Sequence, residues 1–156
     1  MTDSSANNEK INNLTSLIKE IDFRPNWDEY FMVTAYLISK RSTCCRLNVG
    51  CVLTKDNWLF STGYNGHIPG TSHDSLVIDG HEQLTIHAET NSVAIAAKLG
   101  ISTRGATAYV THYPCLNCTK ILISAGIKEV VYGEDYHNND VAKNLFASAE
   151  INVRKF

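Results

Sequence analysis

Two short segments, His87-Ala88-Glu89 and Pro114-Cys115-Leu116-Asn117-Cys118, restrict the fold more than anything else in the chain. To share one metal ion they must be carried to the same place by two separate helix openings. An imidazole, two thiols and a carboxylate are the parts of a metal site with a proton carrier beside it. A structural zinc site is normally closed by four protein ligands, whereas a catalytic one keeps a coordination position for water. Here the protein ligands stop at three, His87, Cys115 and Cys118, and Glu89 stands two residues beyond the first. The pattern points to hydrolysis.

The chemistry follows from where these residues fall. Pro114 suits the first position of a helix, which puts Cys115 and Cys118 three residues apart on one face. A helix N-terminus lowers thiol pKa values and so favours the thiolates that a metal needs. His87 is expected near the start of another helix. Two sulfurs and one imidazole select zinc over magnesium or calcium, and zinc acidifies a bound water toward neutrality. Glu89 is not a convenient fourth ligand, because positions i and i+2 of a regular helix diverge by ~200°. From the first turn it leans over the open position instead, where it can take a proton from water and return it to a leaving group. Each fragment alone has a plainer explanation. A Cys-x-x-Cys is often a redox pair or half of a structural zinc site, and a single histidine is usually a hydrogen-bonded core residue. Both fragments together, in this order and each at a helix start, favour catalysis.

The chain has 156 residues, which fits one domain with a sizeable core. Its net charge of -2 argues against a partner gripped through a phosphate backbone and favours a small substrate. The cysteines, Cys44, Cys45, Cys51, Cys115 and Cys118, are odd in number. The first ten residues read MTDSSANNEK, without a signal-peptide apolar region, and no run approaches the ~18 apolar residues that span a bilayer. Reduced thiols and a cytoplasmic location are expected, with no membrane partner.

Residues 1–9 are polar and expected to be mobile. Ile11, Leu14, Ile18 and Ile21 predict a short amphipathic helix before Arg24-Pro25, so residues 1–23 read as an appendage to a domain over 24–156. Asn26 and Glu29 predict a capped helix with Trp27, Phe31, Ala35 and Ile38 as its buried stripe, ending near Lys40-Arg41. Strands are expected over 49–53 and 58–64, joined by a turn at Lys55-Asp56-Asn57. A long loop runs from Asn65-Gly66 to about residue 83, and loops that long are often functional. Beyond it, helices are expected over 86–99, 116–125 and 141–149, the first two stopped by Gly100 and Gly126. Strands are expected over 106–111, 129–132 and 151–154. This alternation predicts an α/β fold, a three-layer α-β-α sandwich around a central mixed sheet of about five strands.

The chain resembles the cytidine and deoxycytidylate deaminase superfamily, in particular its deoxycytidylate (dCMP) branch; His-x-Glu with Pro-Cys-x-x-Cys is the known signature of zinc nucleobase deaminases. The metal motif carries the superfamily. The branch is carried by Gly63-Tyr64-Asn65-Gly66 and Tyr136-His137, and the likeness extends over about residues 24–156 through Trp27-Asp28-Glu29-Tyr30-Phe31-Met32, Lys40-Arg41-Ser42-Thr43-Cys44, Val49-Gly50, Ile86-His87-Ala88-Glu89-Thr90-Asn91, Ala125-Gly126-Ile127-Lys128-Glu129-Val130 and Arg154-Lys155-Phe156. The resemblance implies a cytidine deaminase-like fold, zinc on His87, Cys115 and Cys118, and Glu89 as proton shuttle. It implies hydrolysis of dCMP to dUMP and ammonia by a zinc-bound hydroxide, in supply of thymidylate synthesis. It assigns the Ala88 amide and the Asn65 side chain to the nucleotide, and Tyr136 to an aromatic that packs near the base. Asn65 also reads as a simple turn residue, and Tyr136 as a loop anchor. Lys40, Arg41 and Arg46 are the cations where the branch contacts phosphate, and Arg41 is the choice among them. Some members hold a second, structural zinc; Cys44, His73, Asp74 and His81 are its candidate ligands here, although solvated loop residues are the simpler reading. A homo-oligomer, typically a hexamer, with dCTP as activator and dTTP as inhibitor is likewise implied.

Three rivals remain: deamination of another small compound such as dCTP, deoxycytidine or guanine; deamination of tRNA or single-stranded nucleic acid, disfavoured by the acidic charge; and a non-catalytic nucleotide sensor, in which Glu89 would have no task.

Overall fold

The computed structural model describes residues 4–79, 81–136 and 140–156. In chain order these form α1 (Ser4–Lys19), α2 (Trp27–Ser39), β1 (Gly50–Lys55) and β2 (Trp58–Tyr64). Four two-residue strands follow: β3 (Gly66–His67), β4 (Val77–Ile78), β5 (His81–Glu82) and β6 (Thr85–Ile86). The rest is α3 (Ala88–Lys98), β7 (Thr107–His112), α4 (Leu116–Ser124), β8 (Glu129–Glu134), α5 (Asp140–Ser148) and β9 (Asn152–Lys155).

One five-stranded sheet runs in the order β2-β1-β7-β8-β9. β1 is antiparallel to β2 and to β7, while β7–β8 and β8–β9 are parallel. The strand period of two then sorts side chains to opposite faces. Cys51, Leu53, Ala108, Val110 and Val130 pack with Ala88 of α3, Leu122 of α4 and Phe146 of α5. Val52, Tyr109 and Val131, one residue out of step, pack with Phe31, Met32 and Ala35 of α2. The result is the three-layer sandwich with a mixed five-stranded sheet that the alternation of elements implied.

Local chemistry explains most boundaries. Asn26 Oδ1 accepts from the Glu29 amide at 2.9 Å and Glu29 Oε2 from the Asn26 amide at 2.7 Å, a complete capping box. Asp56 and Asn57 both take positive φ, 51° and 63°, as a tight two-residue hairpin turn needs. Three expectations are corrected. Trp27 is half-exposed and stacks on Phe31, so the buried stripe of α2 is Phe31, Met32, Ala35 and Ser39. Helix α1 runs from Ser4 to Lys19, and its Ile11, Leu14 and Ile18 are exposed. The stretch after Asn65 is not structureless, since β3 pairs with β6 and β4 with β5. Ile86 belongs to β6, and α3 begins only at Ala88. Gly80 and His137 lie outside the described residues.

At the C-terminus Arg154 forks onto Asp28 at 2.7 and 2.8 Å and reaches Glu129 at 3.0 Å, while the Tyr109 hydroxyl donates to Asp28 at 2.7 Å. That cluster ties α2 to strands β7, β8 and β9 of the sheet. On the other face, α3 touches β2 backbone to backbone. A Cβ at Gly63 would stand 2.2 Å from the Ala88 carbonyl oxygen and 2.4 Å from the Ser92 nitrogen. The strand directions also collect the amino end of β1 and the carboxyl ends of β2, β7 and β8 along one sheet edge, where α3 and α4 open. Gly63→Ala is expected to push the first turn of α3 off the sheet and to destabilise the fold by ~1–3 kcal/mol, the usual range for overpacking. A lowered urea midpoint checks this.

Candidate functional site

His87 and Cys115 occupy equivalent places, each the extended residue immediately before a helix. His87 caps α3 with φ -75° and ψ 153°, and Cys115 caps α4 with φ -67° and ψ 167°. The His87 side chain makes no cap bond to its own helix, and Cys115 turns its sulfur across the opening of α4, so the two side chains face each other. Pro114 therefore precedes the cap of α4 and is not its first helical residue, and Cys115 faces Cys118 from outside the helix. His87 Nδ1 lies 3.5 Å from Cys115 Sγ and 3.4 Å from Cys118 Sγ. The three candidate ligand atoms fall within 4.8 Å of one another.

Electrostatics match this assembly. The Cys115 thiol is held far below its usual range, first by the Cys118 thiol donating to it and then by His87 and a helix amide. The hydrogen bond with Cys115, and then burial, push Cys118 the other way. The hydrogen bond with Cys115 raises His87. Three groups thus share protons that a metal ion would displace, because a metal needs thiolates and a neutral imidazole. Two soft sulfurs and one imidazole fit zinc.

Glu89 is 4% exposed, and the Cys118 thiol lies within hydrogen-bonding reach of its carboxyl. Burial raises its pKa, because desolvation penalises the carboxylate. The cap geometry resolves the angular problem seen in the sequence. His87 leaves the chain before the helix begins, so Glu89 and His87 need not share a helical face. Both border one cleft, together with Arg46, Asn65, Ala88 and Tyr136.

The remaining candidates are placed unevenly. Asn65 is buried and its amide is engaged with the loop opposite: Oδ1 accepts from the Val49 amide at 2.8 Å and Nδ2 donates to the Leu47 carbonyl at 2.7 Å. It shapes the cleft wall besides bordering it. Arg41 is exposed at the end of α2 and does not line the cleft; Arg46 does. Cys44 also lines the cleft. His73 stacks on His67 with ring centres 4.8 Å apart, and the Asp74 carboxylate accepts from Ser72 at 2.7 Å. Among the described residues no second cluster of three ligands forms from Cys44, His73 and Asp74. The His81 side chain lies outside what the structure describes. His112 and Glu82 border the cleft without having been singled out. Only the position of His112 three residues before Cys115 hinted at it.

The family model for the "cytidine and deoxycytidylate deaminase zinc-binding region" matches residues 25–134. ComE operon protein 2 of Bacillus subtilis is 45% identical over 85% of this chain and 72% of its own length. Human deoxycytidylate deaminase is 37% identical over 88% of this chain and 84% of its own. Among solved structures, dCMP deaminase of the cyanophage S-TIM5 in complex with dCMP and dUMP superposes with a TM-score of 0.77 at 31% identity, covering 86% of this chain and 99% of that one.

Cys118→Ala removes the buried sulfur of the set. Elemental analysis is expected to find zinc in the parent protein and to lose most of it in this variant, whereas Cys44→Ala retains it.

Proposed function

The chain belongs to the cytidine and deoxycytidylate deaminase family, and on that premise we propose that it hydrolyses dCMP to dUMP and ammonia. The observation that carries the proposal is the buried Glu89 beside a three-ligand set of His87, Cys115 and Cys118, with His87, Glu89 and Cys115 bordering one cleft. A site with three protein ligands leaves a position for water.

Zinc bound there supplies the acidity that lets water attack near neutral pH. Glu89 carries the proton from the attacking water to the departing amino group as the C4–N bond breaks. Its burial suits a group that must hold that proton between the two transfers. Ala88 contributes its backbone N–H, which has no intrahelical acceptor in the first turn. Asn65 has one Nδ2 hydrogen engaged by Leu47, so its second is available to the nucleotide. Tyr136 packs beside the base. Arg46, in place of Arg41, meets the phosphate, because it is the arginine that borders the cleft.

The division into an appendage over 1–23 and a deaminase domain over 24–156 belongs to the same proposal. So do a homo-oligomer, typically of six chains in this branch, control by dCTP and dTTP, and a cytoplasmic location. These rest on the resemblance. No helix among the described residues is long and apolar enough to cross a membrane.

Two kinetic outcomes test the assignment. Glu89→Gln is expected to keep its zinc and fold while kcat falls by about 10²–10⁴, the usual worth of a positioned proton carrier. Arg46→Ala is expected to raise KM for dCMP on the order of tenfold, as loss of a charge-assisted hydrogen bond would, and to leave the slower turnover of deoxycytidine unchanged. Equal turnover of deoxycytidine and dCMP by the parent protein would defeat the phosphate assignment.

A further inference from the structure

We propose that His112 is a positioning residue of the cleft: it sets the ring of Tyr136 and thereby the affinity for substrate, without touching the reacting atoms. This rests on the dCMP reading above, in which Tyr136 packs beside the base.

His112 ends β7 on the side of the sheet that also carries Ala108 and Val110, hence on the side of α3 and α4. It borders the cleft, and its side chain is only 12% exposed. Three contacts hold the ring. Nδ1 lies 2.9 Å from Thr111 Oγ1, Nε2 lies 3.7 Å from Glu134 Oε2, and the ring meets Tyr136 edge to face with centres 6.0 Å apart at 87°.

Thr111 Oγ1, which accepts from the Gly50 amide at 3.1 Å, is a fixed hydrogen-bonding partner for His112 Nδ1, whichever of the two carries the shared proton. On the other side of the ring, Nε2 faces the Glu134 carboxylate. Glu134 is itself held, since the Tyr36 hydroxyl donates to its other oxygen at 3.2 Å. Groups from α2, β1, β7 and β8 therefore all orient one imidazole. A leucine would fill the same space for the core. What it would not supply is a flat ring at a defined angle against Tyr136, and aromatic pairs of this geometry have a preference beyond the area they bury.

The test combines turnover, product affinity and zinc content in the parent protein, His112→Leu, His112→Phe, Tyr136→Ala and the double variant His112→Leu/Tyr136→Ala. His112→Leu is expected to raise KM for dCMP about three- to tenfold, the weight of one aromatic pair, with kcat and zinc content nearly unchanged. His112→Phe keeps a ring against Tyr136 and is expected to recover most of the loss. In the Tyr136→Ala background, His112→Leu is expected to add nothing. An unchanged KM in His112→Leu overturns the proposal, as does the same proportional rise with Tyr136 already removed. A parent protein inert toward dCMP would defeat the functional reading instead. Positioning is then judged from dUMP affinity by calorimetry, which should fall by the same factor in His112→Leu; equal affinity rejects it.

Discussion

The first turn of α3 rests on Gly63 with no room for a methyl group between the two backbones. That contact fixes the height of His87 and Glu89 above the sheet. The corresponding height of Cys115 and Cys118 is set by β7, which runs straight into the opening of α4. Because β1 is antiparallel to β7 while β7 and β8 are parallel, Asn65, His112 and Tyr136, each at or just after the carboxyl end of a strand, come out along the same edge. A metal site assembled from distant parts of the chain is thus a consequence of strand direction and one close backbone approach.

Burial gives the site its chemical character. Glu89 is removed from water and next to a thiol, so its charged form is penalised unless a cation stands beside it. His87 Nδ1 lies within hydrogen-bonding distance of both Cys115 and Cys118, and a metal that takes all three must displace the thiol protons. Metal binding and the ionisation of this cluster are therefore coupled, and the same binding energy contributes to holding the two helix openings together.

The fold was largely legible because its signals are local. The capping box at Asn26, the positive-φ pair Asp56-Asn57 and the glycines after α3 and α4 declare their elements without tertiary help. The metal ligands were legible for a similar reason, since each belongs to a compact motif at a helix start. The cleft walls were not. Arg41 and Arg46 have the same chemistry, and only the path of the chain after α2 decides that Arg46 borders the cleft. Asn65-Gly66 suggested a turn, but the structural work of Asn65 lies across space, on the backbone of Leu47 and Val49. His112 carried no motif, and its place depends on strand parity and on Glu134 from the neighbouring strand. The segment after Asn65 escaped because two-residue strands leave no periodic trace.

The most direct test of the account is turnover of dCMP by the purified protein before zinc removal, after it, and after zinc is restored. Equal amounts of dUMP and ammonia are expected from the zinc-loaded protein, no reaction from the stripped one, and recovery when zinc is returned. Failure of the zinc-loaded protein to convert dCMP, or turnover that survives complete removal of the metal, would contradict it.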